Sequence, residues 1–287
     1  MTTIQPNARP IPEAPPPELR FRRKLGLGQA VSDLWRRRDL IRTMAERQVR
    51  AQYKQAFLGI GWSVATPLLL MVVLTLFFRE VARVDTGGIP YPIFTFVALV
   101  PWQFFATAVQ TGSNSLVWNK MLLNKVACPR EIYPLSSVAV AVVNFVASIG
   151  VLAVLMLLHG RAPAATTPLV IIPLVIELAF TVGVVLVLSA VAVYVRDVLH
   201  VVPLLIQIGL FATPIAYPLD SVSRKYRLLY STLNPLGPVI ETYRDVVLRG
   251  QFPRWSVLLP AAVTSFAVLI FGYLLFKRIE TGIADIA

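Results

Sequence analysis

The residues able to do chemistry in this sequence are few and scattered. His159 and His200 are its two histidines and Cys128 its one cysteine. No stretch reads G-x-x-x-x-G-K-[ST], H-E-x-x-H or G-x-S-x-G. No nucleophile stands beside a base and no acidic or cysteine-rich group has metal-ligand spacing, so no catalytic constellation, metal site or nucleotide site of the chain's own is legible. What remains is the chemistry of recognition. Arg47, Arg50 and Lys54 recur at i, i+3 and i+7, one stripe of a helix. A guanidinium meets phosphate with a bidentate fork and an ammonium meets it as a point charge. Trp102 and Phe105 share a helix face three residues apart. Aromatic faces stack on the C–H faces of sugar rings, but periodicity alone does not separate that use from packing in a core. Glu177 is a lone carboxylate within a long apolar run.

The elements that must position these groups are membrane helices. The 287 residues are 56% hydrophobic and only 15% charged, and the apolar residues fall in long uncharged runs. A hydrocarbon core of about 30 Å takes about 20 helical residues to cross. Spans are expected at about 60–78, 92–118, 135–158, 168–195, 198–217 and 255–276. None alternates like a barrel strand, so the fold class is an all-α membrane protein with six transmembrane helices. Glu177 then lies about nine residues into span four, roughly 13 Å deep. A carboxylate there must face protein or water. It is a pathway residue, a subunit contact, or a protonated group bonded to a neighbouring span. Residues 1–17 hold six prolines and no apolar core, so 1–30 is expected to be a disordered tail rather than a secretory signal.

The net charge is +12, and its placement matters more than its size. Twelve of the 27 Lys and Arg precede Ile60. With six spans and the amino terminus inside, eighteen fall on the inner side and nine on the outer, which supports cytoplasmic termini. The basic charge flanks membrane spans, so nucleic acid is not an expected partner.

Three segments between the spans are amphipathic. In 31–57, Leu34, Ile41, Ala45, Val49 and Ala56 share one helix face and Arg36, Arg47, Arg50 and Lys54 the opposite one. This is an interfacial helix with its basic side toward phosphates, or a plain topology anchor. The link at 119–134 sets Met121, Leu122 and Leu123 among Lys120, Lys125 and Arg130 and stops at Pro129. A short helix on the cytoplasmic side fits better than a solvated connector. Segment 221–250 is too polar to span and too apolar for an ordinary loop. Asn234-Pro235 and Gly237-Pro238 divide it into two short helices, and Gly250 ends the second. It reads as a helical hairpin dipping into the outer leaflet, or as two helices lying flat on the surface.

Three stretches together resemble a known family: "RQVRAQYKQAFLGIGWSVATPLL" (47–69), "LVPWQFFATAVQTGSNSLVWNKMLLNKVACPREIYPLSS" (99–137) and "LNPLGPVIETYRDVVLRG" (233–250), with "YVRDV" (194–198) also fitting. They are similar to the polysaccharide-export permeases of ABC transporters, the type 2 exporters of O-antigen, capsule or teichoic-acid polymers. The resemblance implies a homodimer in the bacterial inner membrane, joined to two copies of a separate P-loop ATPase that holds the ATP and Mg, with no cofactor in this chain. It implies that 119–134 is a coupling helix meeting the ATPase through Met121, Leu122, Lys125, Arg130 and Glu131. It implies that 221–250 is an outer gate built on Asn234, Pro235, Pro238, Tyr243 and Arg244. Trp62, Trp102, Phe105 and Glu177 become candidates for the substrate pathway, and Arg47, Arg50 and Lys54 for the phosphate of a lipid-linked polysaccharide. The absence of a P-loop agrees independently. Export of capsule or teichoic-acid polymer, or of a small lipid or drug, is the variant within the family. A membrane-embedded glycosyltransferase or acyltransferase is the alternative from another class, and the missing acid–base cluster argues against it. A passive channel or scaffold is a third.

Overall fold

The computed structural model describes residues 38–53, 61–81, 84–120 and 129–286. Lys54, Met121, Leu122 and Lys125 lie outside the described residues, as does the proline-rich segment 1–30. Contacts divide the chain into Met1–Asp39, of which only the first two residues of a helix are described, and Leu40–Ala287, which contains the remaining features below.

Among the described residues the elements are all helical: α1 (Arg38–Tyr53), α2 (Gly61–Leu74, widening to a π turn over Thr75–Val81), α3 (Tyr91–Trp118), α4 (Ile132–Leu158), α5 (Ile171–Tyr194, entered through a 3₁₀ turn at Thr167–Val170), α6 (Val198–Ala212), α7 (Arg224–Leu233), α8 (Leu236–Arg244, continued by a π turn over Asp245–Arg249) and α9 (Trp255–Ile286). Five stretches are long and apolar enough to cross a membrane: Gly61–Phe78, Tyr91–Trp118, Ile132–Leu158, Thr167–Tyr194 and Trp255–Ile279. The expected interfacial helix is described over Arg38–Tyr53, where i, i+4 pairs between Glu46 and both Arg42 and Arg50 lie on its exposed side.

The fifth expected span, 198–217, needs correction. Its helix α6 stops at Ala212 after 15 residues, about 22 Å of rise and short of the hydrocarbon thickness. The cause is Pro214. A proline ring pushes the residue before it out of the helical region, and Thr213 is extended (φ −93°, ψ 142°). The hairpin reading fares differently at its two helices. α7 leaves Tyr226, Leu228, Leu229 and Leu233 exposed, whereas all nine residues of α8 are buried. α8 is therefore an internal helix, not one lying flat on a surface. It ends where the sequence places its stop, at Gly250 with φ +68°.

α3 is the axis of the bundle. In its most apolar stretch 78% of residues are buried, against 17% to 44% in the other four spanning helices; α2, α4 and α5 pack against it, α9 packs on α5, and all four turn their remaining apolar faces outward. α5 and α9 pack more closely than side chains allow. A Cβ on Gly183 would stand 2.7 Å from backbone atoms of Val268 and Leu269, and Gly272 sits against the Gly183 backbone in the same way. With no hydrophobic force between helices in lipid, such small-residue contacts hold them together by dispersion.

This contact gives a test. Gly183→Ala inserts a methyl group where only backbone can yield, at a cost of about 1–3 kcal/mol. Gly150→Ala meets no atom within 4 Å and gains helix propensity of up to about 1 kcal/mol. Thermal unfolding in detergent should rank Gly150→Ala at or above the parent and Gly183→Ala clearly below it. Equal midpoints for the two variants contradict the close backbone contact.

Candidate functional site

At the end of the bundle that carries α1, a cavity of about 540 Å³ opens between α1, the end of α3 and the start of α4. α1 contributes Met44, Arg47, Gln48 and Ala51; α3 and the residue after it contribute Thr111, Trp118 and Asn119; α4 contributes Tyr133 and Ser136. Among the described residues Arg47 is the one cation on this wall and no carboxylate lines it. Arg47 reaches the cavity because it lies on the same side of α1 as Met44 and Gln48, and Gln48 is tied to α4 through Ser137 Oγ at 3.4 Å. Ser136 and Thr111 donate their hydroxyls to carbonyls one turn back, and one Asn119 amide hydrogen goes to Ser115 O, which holds these side chains in place. A cationic fork with neutral polar neighbours and no competing acid is a place for an anion. Of the expected phosphate stripe, Arg47 lines the cavity, Arg50 faces outward beside Glu46, and Lys54 lies outside the described residues.

At the opposite end the polar groups are closed off. Arg244 is fully buried and its guanidinium has no room to turn. Nε donates to Phe94 O (3.2 Å), Nη1 to Pro214 O (2.8 Å), Tyr217 O (3.2 Å) and Glu241 Oε2 (3.1 Å), and Nη2 to Ile215 O (2.6 Å). Its face also rests on the Phe94 ring, 3.6 Å from the centroid. Glu241 and Asp245 are shared in turn with Arg249 (2.6 Å to each) and with Arg254, which reaches Glu241 at 3.0 Å, Asp245 at 2.9 Å and Asp220 at 3.1 Å. The clamp therefore joins α3, the segment after α6, α8 and the entry to α9. Burial by itself raises the Glu241 carboxyl, but the charges of Arg244 and Arg249 overcome it and hold its pKa below the ordinary value. Burial lowers the Arg244 guanidinium to about 10, against the pull of Glu241, and it stays charged at neutral pH. A carboxylate depressed on folding stabilises above its unfolded pKa and loses that contribution as pH falls through the folded one. The Glu241 contribution is complete at neutral pH and fades only in acid.

The other expected site residues are placed as follows. Tyr243 donates its hydroxyl to Glu177 Oε2 at 2.8 Å, so a residue of the hairpin and one of span four meet in the interior, while Glu177 Oε1 has no partner among the described residues. Asn234 caps the end of α7 and bonds Thr213 Oγ1 (2.9 Å) and the Tyr230 hydroxyl (3.2 Å); Pro235 opens α8 and Pro238 follows in its first turn. Trp102 is only 4% exposed and presses on Gly209, where a Cβ would stand 2.8 Å from the indole. Phe105 is partly exposed and stacks on Phe180 at 5.6 Å. Trp62 on α2 is exposed. Arg130 lies beside Pro129 before α4, and Glu131 is buried against Lys277. Sequence reasoning did not single out Glu241, Asp245, Arg249 and Arg254. Their signal was present as E-x-x-R-D-x-x-x-R, opposite charges at helical spacing in a segment otherwise too apolar for a loop.

Truncating the clamp shows what it holds. Arg244→Met leaves four buried carbonyls without their donors and should cost more than about 3 kcal/mol, at about 1–3 kcal/mol for each unsatisfied group. Arg244→Lys keeps the charge with three donors on one point, and should recover less than half of the loss. Midpoints of thermal unfolding for both variants give the answer; a lysine variant as stable as the parent contradicts the multidentate role.

An O-antigen export system permease protein RfbA of Myxococcus xanthus is 33% identical over 240 residues, 83% of this chain and 92% of that protein. An RfbA protein of the same description from Klebsiella pneumoniae is 30% identical over 252 residues, 86% of this chain and 95% of its own length. The polysialic acid transport protein KpsM of Escherichia coli is 23% identical over 239 residues, 82% of this chain and 91% of KpsM. Residues 39–248 match the ABC-2 type transporter family, from the second described residue of α1 to the π turn after α8. Because that match covers most of the chain, from α1 through the hairpin, the chain belongs to the ABC-2 type transporter family.

Proposed function

We propose that this chain is the transmembrane subunit of an ATP-driven exporter that moves a lipid-linked polysaccharide of the O-antigen kind across the bacterial inner membrane. The observation that carries this reading is the open cavity beside Arg47, a cation with no acid on the same wall among the described residues, in a chain similar over most of its length to O-antigen export permeases. A phosphate-bearing lipid head enters such a cavity with its anion on the guanidinium and its chain alongside the apolar helices. The exporter is a homodimer with two P-loop ATPase subunits that hold ATP and Mg. The apolar faces left exposed on α2 and α6 support this, since lipid or a second copy must cover them. The α1 end, with the connector at 119–131 and both termini, faces the cytoplasm, and α6 with the residues that follow it makes the sixth crossing. Of the three rings assigned to the pathway, Trp102 is buried, and Trp62 and Phe105 are the ones with surface left to offer a sugar.

A glycosyltransferase or acyltransferase has no observation in its favour, because neither the cavity wall nor the clamp sets a nucleophile beside a base.

The test is export of lipid-linked polymer by proteoliposomes containing the chain and its ATPase, measured across polymer concentrations. Losing a charge-assisted hydrogen bond removes about 1.5–3 kcal/mol, or roughly 10- to 100-fold in apparent affinity. Arg47→Gln should raise the half-saturating polymer concentration by that factor without changing the amount of chain in the membrane. Arg47→Lys should fall between the two. An unchanged half-saturation point in Arg47→Gln removes the cavity from the account, and no ATP-dependent export by the parent removes the exporter reading itself.

A further inference from the structure

A second buried ion pair lies at the α1 end, apart from the cavity wall. Glu131 closes the connector between α3 and α4, and its Oε1 pairs with Lys277 of α9; the two side chains are only 5% and 7% exposed. The Lys277 ammonium also stands 5.9 Å from the centre of the Tyr273 ring. Glu131 Oε2 has no hydrogen-bond partner among the described residues, so Lys277 is the charge that makes burial of this carboxylate tolerable. Separating the pair leaves the Glu131 carboxylate buried with no cation beside it among the described residues. Whatever shifts Glu131 must therefore carry Lys277 with it.

α9 is in turn fixed along its length and at its far end. Gly272 and Gly183 bring α9 and α5 into backbone contact, so neither helix slides or tilts without the other. At the other end Arg254, the residue before α9, is bonded to Glu241, Asp245 and Asp220, and Glu177 on α5 accepts the Tyr243 hydroxyl. The α5–α9 pair is thus attached to the connector by one ion pair and to α8 by two separate polar contacts. Lys277 and Trp255 are 22 residues apart on one helix, about 33 Å at 1.5 Å per residue.

We propose that Glu131 and Lys277 are positioning residues that fasten the connector between α3 and α4 to the α5–α9 pair, so that displacement of the connector is delivered to the hairpin about 33 Å away by two helices moving as one body. As a step in transport this rests on the exporter reading, in which an ATPase pushes the connector. As a mechanical property of the chain it stands without it. Glu131 then acts from inside the bundle, through Lys277, and not as a contact on the surface offered to a partner.

The experiment reads the far end directly. Amide hydrogen exchange of the full chain in lipid nanodiscs is followed over 236–249. Glu131→Gln and Lys277→Gln should each speed exchange there by about tenfold or more, and the charge swap Glu131→Lys/Lys277→Glu should return it to within about threefold of the parent. Leu116→Ala, buried at the same end but outside the ion pair, should speed exchange only around its own helix end. If the single variants affect the α1 end alone, or if Leu116→Ala loosens 236–249 equally, the link does not exist. Should a single variant fail to fold, Glu131→Gln/Lys277→Met, which leaves no lone charge, takes its place with the same expected result. With the ATPase present, the single variants should hydrolyse ATP within about twofold of the parent while moving polymer at least about tenfold more slowly, since positioning and not nucleotide chemistry is lost. Parallel loss of both activities contradicts the positioning role. Absence of polymer movement in the parent contradicts the exporter reading instead, and the exchange result still decides the link.

Discussion

Where α6 unwinds, backbone carbonyls are left inside protein with no helix to satisfy them, and one guanidinium supplies the hydrogens. Non-helical backbone is tolerated at membrane depth only when something else bonds it. Arg244 does so for Pro214, Ile215 and Tyr217, and takes Phe94 O at the head of α3 as well. Its charge is then the next burden, and Glu241 answers it from one turn back on the same helix. Glu241 needs more than one cation to remain ionised in the interior, so Arg249 and Arg254 follow. The π turn at Asp245–Arg249 belongs to the same solution, since it lies where Arg249 returns to Asp245 and Glu241. Most of the architecture of this end follows from Pro214.

The two ends of the bundle treat charge in opposite ways. At the hairpin end Arg227, Arg244, Arg249 and Arg254 each have an acid beside them, and Arg244 and Glu241 are fully buried in α8. At the α1 end Arg47 faces an open cavity with no acid on its wall among the described residues, while the neighbouring Glu131–Lys277 pair is shut away and neutral as a unit. A transporter needs this asymmetry. A site that receives an anion must keep a charge uncommitted, and a part that transmits movement must keep its charges committed, because a bonded buried charge is expensive to pull apart. Arg47 and Lys277 are both cations at one end of one protein, and their surroundings differ: one faces an open cavity and the other a buried carboxylate.

The spans were legible because lipid imposes length and composition together, and five of the six expected segments appear within a few residues of their sequence bounds. In the remaining segment only the end of the helix was misjudged, because hydropathy is blind to backbone. Residues 213–217 are apolar enough to continue α6, yet Pro214 forbids it. The hairpin helices were legible from Asn234-Pro235 and Gly250, since those residues act locally. Their burial was not, because it depends on carbonyls some 30 residues earlier in the chain that Arg244 bonds. The same limit applies to Glu177. Its depth in span four is a matter of counting, but its partner Tyr243 is 66 residues away, and no periodicity connects them. Trp102 and Phe105 share a helix face as their spacing requires, and spacing says nothing of Gly209, which lets the indole in.

That last contact bears on how stiff the bundle is. Trp102 fills the space over Gly209, Val185 fills that beside Gly112, and Gly183 meets Gly272 backbone to backbone. These three contacts join α3 to α6, α3 to α5, and α5 to α9, and each depends on a glycine that leaves no slack. A bundle locked in this manner does not open by bending between its helices; packed cores move between discrete arrangements rather than deform smoothly. Movement must then pass through the elements that are packed least, and α2 is the least buried of the spanning helices. Its helix widens into a π turn at Thr75–Val81, a local fault of the sort that lets one helix shift without disturbing its neighbours. The rigid part of the chain is thus α3 with α5 and α9, and the adaptable part is α2, which lies between α1 and that rigid block in sequence.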